Sequence, residues 1–453
     1  MFYLGMFLAA SLSPLGSTMI AVALPSIGTE LGVGGGRLTQ WLVSSYLIVG
    51  IAAMSPGGRL GDRIGHRRGL ILGMIIYGAG SVVGFTVATL PSLALARISM
   101  AAGGAMTIPA TLALLRNTIP FEKRPRAFGY FGSAMGIAAA IGPLVGGELT
   151  AQFGWRSVFI ANLPVIAVSY WLIRRTTRAA EAPERPATPK PPAFDVVGSI
   201  LLGLGLTLLV IALQMSGSGM AGPALLGAVV LGVFVFWERR VAQPVLDLRL
   251  FLQPTFSAAS LVIGLQNLAM YSLLFQLPIF FEQVRGVEPG TIGRTIIAMM
   301  LAMVVCSPLG GRFSERFGAR AISLAGTITS LLGVYLISDF RTLQSPGDLV
   351  IGLVLMGAGL GLSSAPAQAA AMSAVPSTDA GMAGGAVSTA RYIGAVIGIS
   401  ALGYLLAGGE TAPDKHNAAT AVYLGALVLA ALSSLALPGK WRHSAGSSVS
   451  RNL

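Results

Sequence analysis

Apolar runs of about 20 residues recur along the whole chain, separated by short clusters that hold most of its charges. Such a run is what an α-helix needs to cross a hydrocarbon layer. Fourteen are counted, at about 3–28, 38–58, 69–88, 91–115, 127–151, 155–173, 196–215, 221–237, 255–282, 291–311, 319–338, 347–372, 380–407 and 418–437. The weak alternating segments of a membrane β-barrel are not what this pattern shows. Several runs contain Gly or Pro, which bilayer helices tolerate when neighbours satisfy the freed backbone groups. Residues 174–195, RRTTRAAEAPERPATPKPPAFD, break the pattern. Rich in Pro and charge, they read as an irregular linker. The opening MFYLGMFLAA lacks a basic leader and is expected to begin the first membrane helix.

Composition narrows the class. Of 453 residues, 54% are hydrophobic and only 10% charged, where a soluble domain carries about 25% charged residues. Water-soluble domains and disorder are both excluded, leaving an all-α polytopic membrane protein. The formal charge of +13 fits either a nucleic-acid patch or the positive-inside bias. Placement decides. Twenty-two of the 30 Lys and Arg fall after even-numbered helices or in the C-terminal tail, six fall on the other side, and Arg97 and Arg391 lie inside helices. This split predicts both termini in the cytoplasm of a bacterial plasma (inner) membrane protein and removes the reason to invoke nucleic acid. The single Cys306 excludes an intrachain disulfide and reads as a small buried apolar residue. No metal-ligand cluster, nucleophile–base pair or phosphate loop is found in the sequence, so no enzyme, metal or cofactor is expected.

An internal repeat organises the chain. Residues 57–67 read GGRLGDRIGHR and residues 310–320 read GGRFSERFGAR, identical at six of eleven positions, with Asp62 matched by Glu315. The first copy follows helix 2 and the second follows helix 10. Two six-helix bundles with two helices inserted between them account for that offset. The expected layout is an N-terminal bundle at 1–178, a cytoplasmic linker at 179–194, two inserted helices and a loop at 195–250, a C-terminal bundle at 251–440, and a tail at 441–453.

On these residues the chain resembles the major facilitator superfamily, in particular its fourteen-helix drug:proton antiporter branch. GGRLGDRIGHRR resembles the signature loop between helices 2 and 3. Arg97 with Pro109 resembles the helix 4 motif, and GIAAAIGPLVGGEL at 136–149 resembles the antiporter motif of exporters. TQWLVSSYL (39–47), GWRSVFIANLP (154–164) and TARYIGAVIG (389–398) resemble further segments of the branch. There are departures. Gly16 stands where the branch usually has an Asp in helix 1, Met100 and Ala101 stand where a Gln usually follows the helix 4 Arg, and Glu282 replaces the more usual Gln.

Candidate residues follow. Arg97 in a bilayer helix is costly unless paired or facing a polar cavity. Helix 4 runs inward and helix 5 outward, so a pair of Arg97 with Glu148 is geometrically open and is expected to be the proton-sensitive element. A static pair, or an Arg bonded to carbonyls, is the plainer alternative. Asp62 and Glu315 are placed in tight Gly-flanked turns, where a carboxylate suits a helix N-terminus. The resemblance sets Asp62 against the start of helix 13 near Gly381, and the repeat sets Glu315 against the start of helix 5 near Arg126. Arg63, Arg67, Arg316 and Arg320 would support this conformational latch. In helix 5, Gly136, Gly142, Pro143, Gly146 and Gly147 read as a tightly sealed helix or as small-residue packing. Tyr46, Gln266, Asn267, Tyr271, Gln276, Gln368 and Arg391 are the expected substrate cavity, with Asn267 or Gln368 as partner for Arg391.

The expected protein is thus a monomeric secondary transporter with fourteen transmembrane helices. It moves a hydrophobic or amphiphilic small molecule out of the cell by alternating access, with protons as the coupling ion and no other cofactor. A periplasmic adaptor is left open. A lipid or natural-product exporter with weak or no proton coupling is the second reading, motivated by Gly16. A non-transporting scaffold or sensor is the third, and the latch loops with a buried Arg argue against it.

Overall fold

The computed structural model describes residues 1–33, 39–87, 89–175, 195–214, 219, 221–241, 244–287, 289–376, 379–406 and 412–439. The linker at 179–194 and the tail at 441–453 lie outside these residues. The membrane helices are α1 (Phe2–Leu31), α2 (Ser45–Ile64), α3 (His66–Thr86), α4 (Leu90–Thr118), α5 (Arg124–Phe153), α6 (Asn162–Arg175), α7 (Val196–Gln214), α8 (Ala221–Glu238), α9 (Pro254–Arg285), α10 (Pro289–Phe317), α11 (Ala319–Leu336), α12 (Val350–Ser373), α13 (Ala380–Leu406) and α14 (Pro413–Ser434). Among the described residues, thirteen segments are long and apolar enough to cross a membrane, and the shorter apolar stretch Val196–Leu209 belongs to α7. Among the described residues there is no β-strand. The apolar runs therefore fold as an all-α membrane protein, because a helix satisfies its own backbone within one segment.

Helices α1–α6 pack among themselves and so do α9–α14. The two groups meet where α2 and α4 lie on α13 and where α5 lies on α10 and α12. These contacts exchange under a shift of eight helices, which is the symmetry the repeat implies. Helices α7 and α8 pair with each other, and α7 also lies on α2 and touches α13. Ile51, Leu202, Leu206, Phe234, Val245 and Val396 form the small buried cluster at that junction.

The repeat shows how sequence makes this symmetry. In the first copy, a Cβ on Gly57 would press on the Ala105 carbonyl of α4, and one on Gly58 would overlap the Gly381 carbonyl of α13. In the second, a Cβ on Gly310 would overlap the Leu362 carbonyl of α12, and one on Gly311 the Pro125 carbonyl of α5. One glycine of each pair seats its helix within its own half, and the next seats it against the other half. Tight turns at Asp62 and Glu315 were expected. Instead α2 and α10 continue through both acids to Ile64 and Phe317. The turns fall one residue later, at Gly65 and Gly318, whose φ angles of 92° and 86° suit glycine alone.

Candidate functional site

The end of the molecule that carries the basic loops is closed by contacts between the halves. Both oxygens of Asp62 accept backbone N–H bonds at the start of α13, from Gly381 and Met382, each at 2.8 Å. Those N–H groups have no partner within their own helix, and the helix dipole there favours an anion. His66 Nε2 lies 3.6 Å from the same carboxylate. Nearby, Arg59 pairs with Asp379 at 3.2 Å. The Glu315 carboxylate faces the Arg126 backbone N–H at the start of α5, with Arg126, Arg312 and Lys123 around it. The two acids thus stand against the helices expected of them.

The supporting basic residues differ from expectation. Arg63 is exposed, as is Arg316, which lies over its neighbour Phe317. Arg320 donates to the Leu437 carbonyl beyond α14, inside its own half. Long, solvated side chains at helix ends gain little from distant partners. Among the described residues, Arg59 and Arg116 are cations whose hydrogen bonds cross between the halves. Arg116, buried at the end of α4, donates to the carbonyls of Met372 and Val375. Sequence reading counted it only as a loop charge, since a bond to main-chain oxygen leaves no mark in the partner's side chain.

Deeper in the first half, Arg97 is 1% exposed. Its Nε donates to the Leu42 carbonyl at 3.1 Å and Nη1 to the Gly16 carbonyl at 3.2 Å. The guanidinium lies 4.0 Å from the centre of the Tyr46 ring, a cation–π contact. Leu42 belongs to a six-residue π-helical turn, Thr39–Ser44, a distortion that recurs at functional positions. Tyr46 shares a 2.8 Å hydrogen bond with Ser13, and the Tyr77 hydroxyl donates to the Leu12 carbonyl at 2.7 Å. A side chain on Gly16 would overlap that hydroxyl, so Tyr77 fills the space left by the missing acid.

The expected Arg97–Glu148 pair is not formed. Arg97 has its bonds with carbonyls, and Glu148 is exposed on α5, accepting from Gln152 one turn on. The sealed-helix glycines divide by neighbour: Gly142 meets Thr18 and Gly146 meets Met19 on α1, while Gly136 meets Met303 and Val304 on α10. Gly147 is half-buried, and the Pro143 side chain lies outside the described residues.

In the second half, Arg391 Nη2 donates to Gln368 Oε1 at 3.1 Å, one of the two partners expected for it. Tyr271 and Tyr392 are its electrostatic neighbours. Asn267 instead bonds its own helix at Ile263. Two cavity assignments are corrected. Gln266 is fully buried and donates to Thr327 and Ser363, tying α9 to α11 and α12. Gln276, also fully buried, donates to the His416 carbonyl on α14. Burial without a hydrogen bond would be costly, so these amides join helices and do not line a cavity. At the opposite end from the basic loops, Glu30 receives Trp155 Nε1 at 2.7 Å and Arg156 Nη1 at 2.8 Å. Those bonds hold its carboxyl below the ordinary range, the Arg156 bond first.

The model of the Major Facilitator Superfamily matches residues 6–288 and 259–450. The multidrug resistance protein Stp of Mycobacterium tuberculosis (strain CDC 1551 / Oshkosh) is 32% identical over 400 residues, covering 87% of this chain and 73% of that protein. The tetracenomycin C resistance and export protein of Streptomyces glaucescens is 28% identical over 436 residues, covering 94% of this chain and 79% of that protein. The solved structure of the proton:xylose symporter XylE is similar in fold, with a TM-score of 0.69 at 15% identity over 95% of this chain and 94% of that one.

Proposed function

The chain belongs to the Major Facilitator Superfamily, and from that premise we propose that it exports hydrophobic or amphiphilic small molecules by alternating access, in exchange for protons. The family makes it a transporter and not an enzyme. One observation carries the proposal. The halves are locked together at the basic end by Asp62 on the α13 N-terminus and by Glu315 at the α5 N-terminus, two copies of one device. Releasing both would let the halves rock about the middle, where Tyr46, Tyr271, Gln368 and Arg391 offer polar and aromatic contacts. The basic end is taken as cytoplasmic, with both termini there, in a bacterial plasma membrane, and the protein as acting alone. Relatives named for multidrug resistance and for tetracenomycin C export favour outward movement of such compounds.

Transport in proteoliposomes under an imposed pH gradient, with cationic, neutral and lipid-like compounds, tests this. Gradient-driven accumulation of an amphiphile is expected. No movement of any compound would overturn the export reading. The second reading, export with weak or no proton coupling, is favoured by one observation: Arg97 is satisfied by carbonyls while Glu148 is exposed. Full transport without a gradient, unchanged in Glu148→Gln, would select it.

A further inference from the structure

The inserted helices bring two acids together at the basic end. Asp195 precedes α7 and Glu238 ends α8. A Cβ on Gly198 would lie 2.3 Å from Asp195 Oδ2 and 2.5 Å from Glu238 Oε1, so the two carboxyl oxygens are at most 4.8 Å apart. Their surroundings differ. Asp195 receives the Gly198 N–H at 2.8 Å and the Trp237 indole N–H at 3.1 Å. Glu238 is only 5% exposed, and the N–H groups of Val245 and Leu246 face its oxygens without reaching good hydrogen-bond geometry.

Two buried carboxylates in such proximity repel each other, and a buried carboxylate with poorly satisfied oxygens is costly. One proton removes both penalties, since a protonated carboxyl donates to its charged neighbour. The geometry points to a one-proton site, and we propose that Glu238 and Asp195 share a single proton there, with Glu238 donating to Asp195. Arg59 of α2 faces Glu238. Arg59 is also the residue paired with Asp379 ahead of α13, so the site stands behind an ion pair that joins the two halves. Of the cations that follow Glu238 in the chain, Arg239 is exposed and Arg240 lies over Phe236. Loss of the proton leaves a second carboxylate competing with Asp379 for Arg59. The inserted helices thereby sense protonation and weaken one clasp of the closed end. This site is separate from Glu148 and does not depend on what the protein exports.

Trp237 supplies a readout because its indole N–H donates to the Asp195 carboxylate of the pair. A full-length variant with Trp237 as its only tryptophan, in lipid nanodiscs, would be titrated by fluorescence. The infrared carboxylic-acid C=O band would be recorded alongside. A single fluorescence transition is expected, with the acid band lost across it, and Glu238→Gln should abolish both. Asp195→Asn should move the transition to lower pH by removing the repelling charge, and Arg59→Gln should move it to higher pH by removing the attracting one. An acid band unchanged by Glu238→Gln would overturn the shared proton. A transition unmoved by Arg59→Gln would overturn the link to the clasp.

Discussion

The hydroxyl of Tyr77 occupies the space that a side chain on Gly16 would need, while the Gly16 carbonyl accepts a hydrogen bond from Arg97. The two positions are therefore coupled. Gly16→Ala should lower the melting temperature, at a cost of about 1–3 kcal/mol for overpacking a filled site. Tyr77→Phe should recover part of that loss, so the double variant falls short of the summed single effects. Strict additivity in thermal melts of the purified protein would show that the residues do not compete for space.

Asp62→Asn should impair transport while the protein still reaches the membrane. An amide is neutral and offers one acceptor oxygen, so the Gly381 and Met382 N–H groups both lose a charged partner and one of them loses its acceptor. Hydrogen bonds to charged groups contribute about 1.5–3 kcal/mol. The closed state should therefore lose about 10- to 100-fold in population. Labelling of a cysteine placed at the basic end reads that opening, and unchanged labelling would count against the latch.

The neighbouring glycines of the second repeat should separate folding from switching. Gly310→Ala crowds α12 within its own half and should reduce stability by about 1–3 kcal/mol. Gly311→Ala crowds the start of α5 in the other half, so it should favour opening of the basic end with a smaller change in melting temperature. Equal effects of both substitutions on both measurements would contradict the division of roles.

Glu30 predicts an acid limb in stability. Its folded-state carboxyl is held below the ordinary range, chiefly by Arg156. The stabilisation is therefore fully present above the unfolded value of about 4.3 and is lost as pH falls through the lower folded value. Glu30→Gln should melt earlier than the unaltered protein at neutral pH, and the two curves should converge in acid. Parallel curves at every pH would remove Glu30 from the acid response.

The helices were legible because a bilayer demands long apolar runs, and the two-copy layout because the glycine and arginine spacing repeats. The contacts of Asp62 and Glu315 followed from that repeat and from the family resemblance. The partners of Arg97 and Arg116 were not legible, since both bond main-chain carbonyls that any residue supplies. Gln266 and Gln276 misled for a related reason. On a helix apolar nearly all round, a polar residue shows that a partner exists without showing whether it is a ligand or another helix. Asp195 and Glu238 are far apart in the chain and look like ordinary helix-end charges until α7 and α8 pair.

Carbonyl dipoles and an aromatic face stabilise Arg97 without cancelling its charge, and among the described residues Tyr46 and Tyr77 are its electrostatic neighbours. The first half therefore keeps a fixed positive potential where water is scarce. A unit charge about 4 Å away at an effective dielectric of about 20 meets roughly 4 kcal/mol of repulsion. A second cation brought close to that guanidinium thus meets electrostatic repulsion as well as the packed side chains around it.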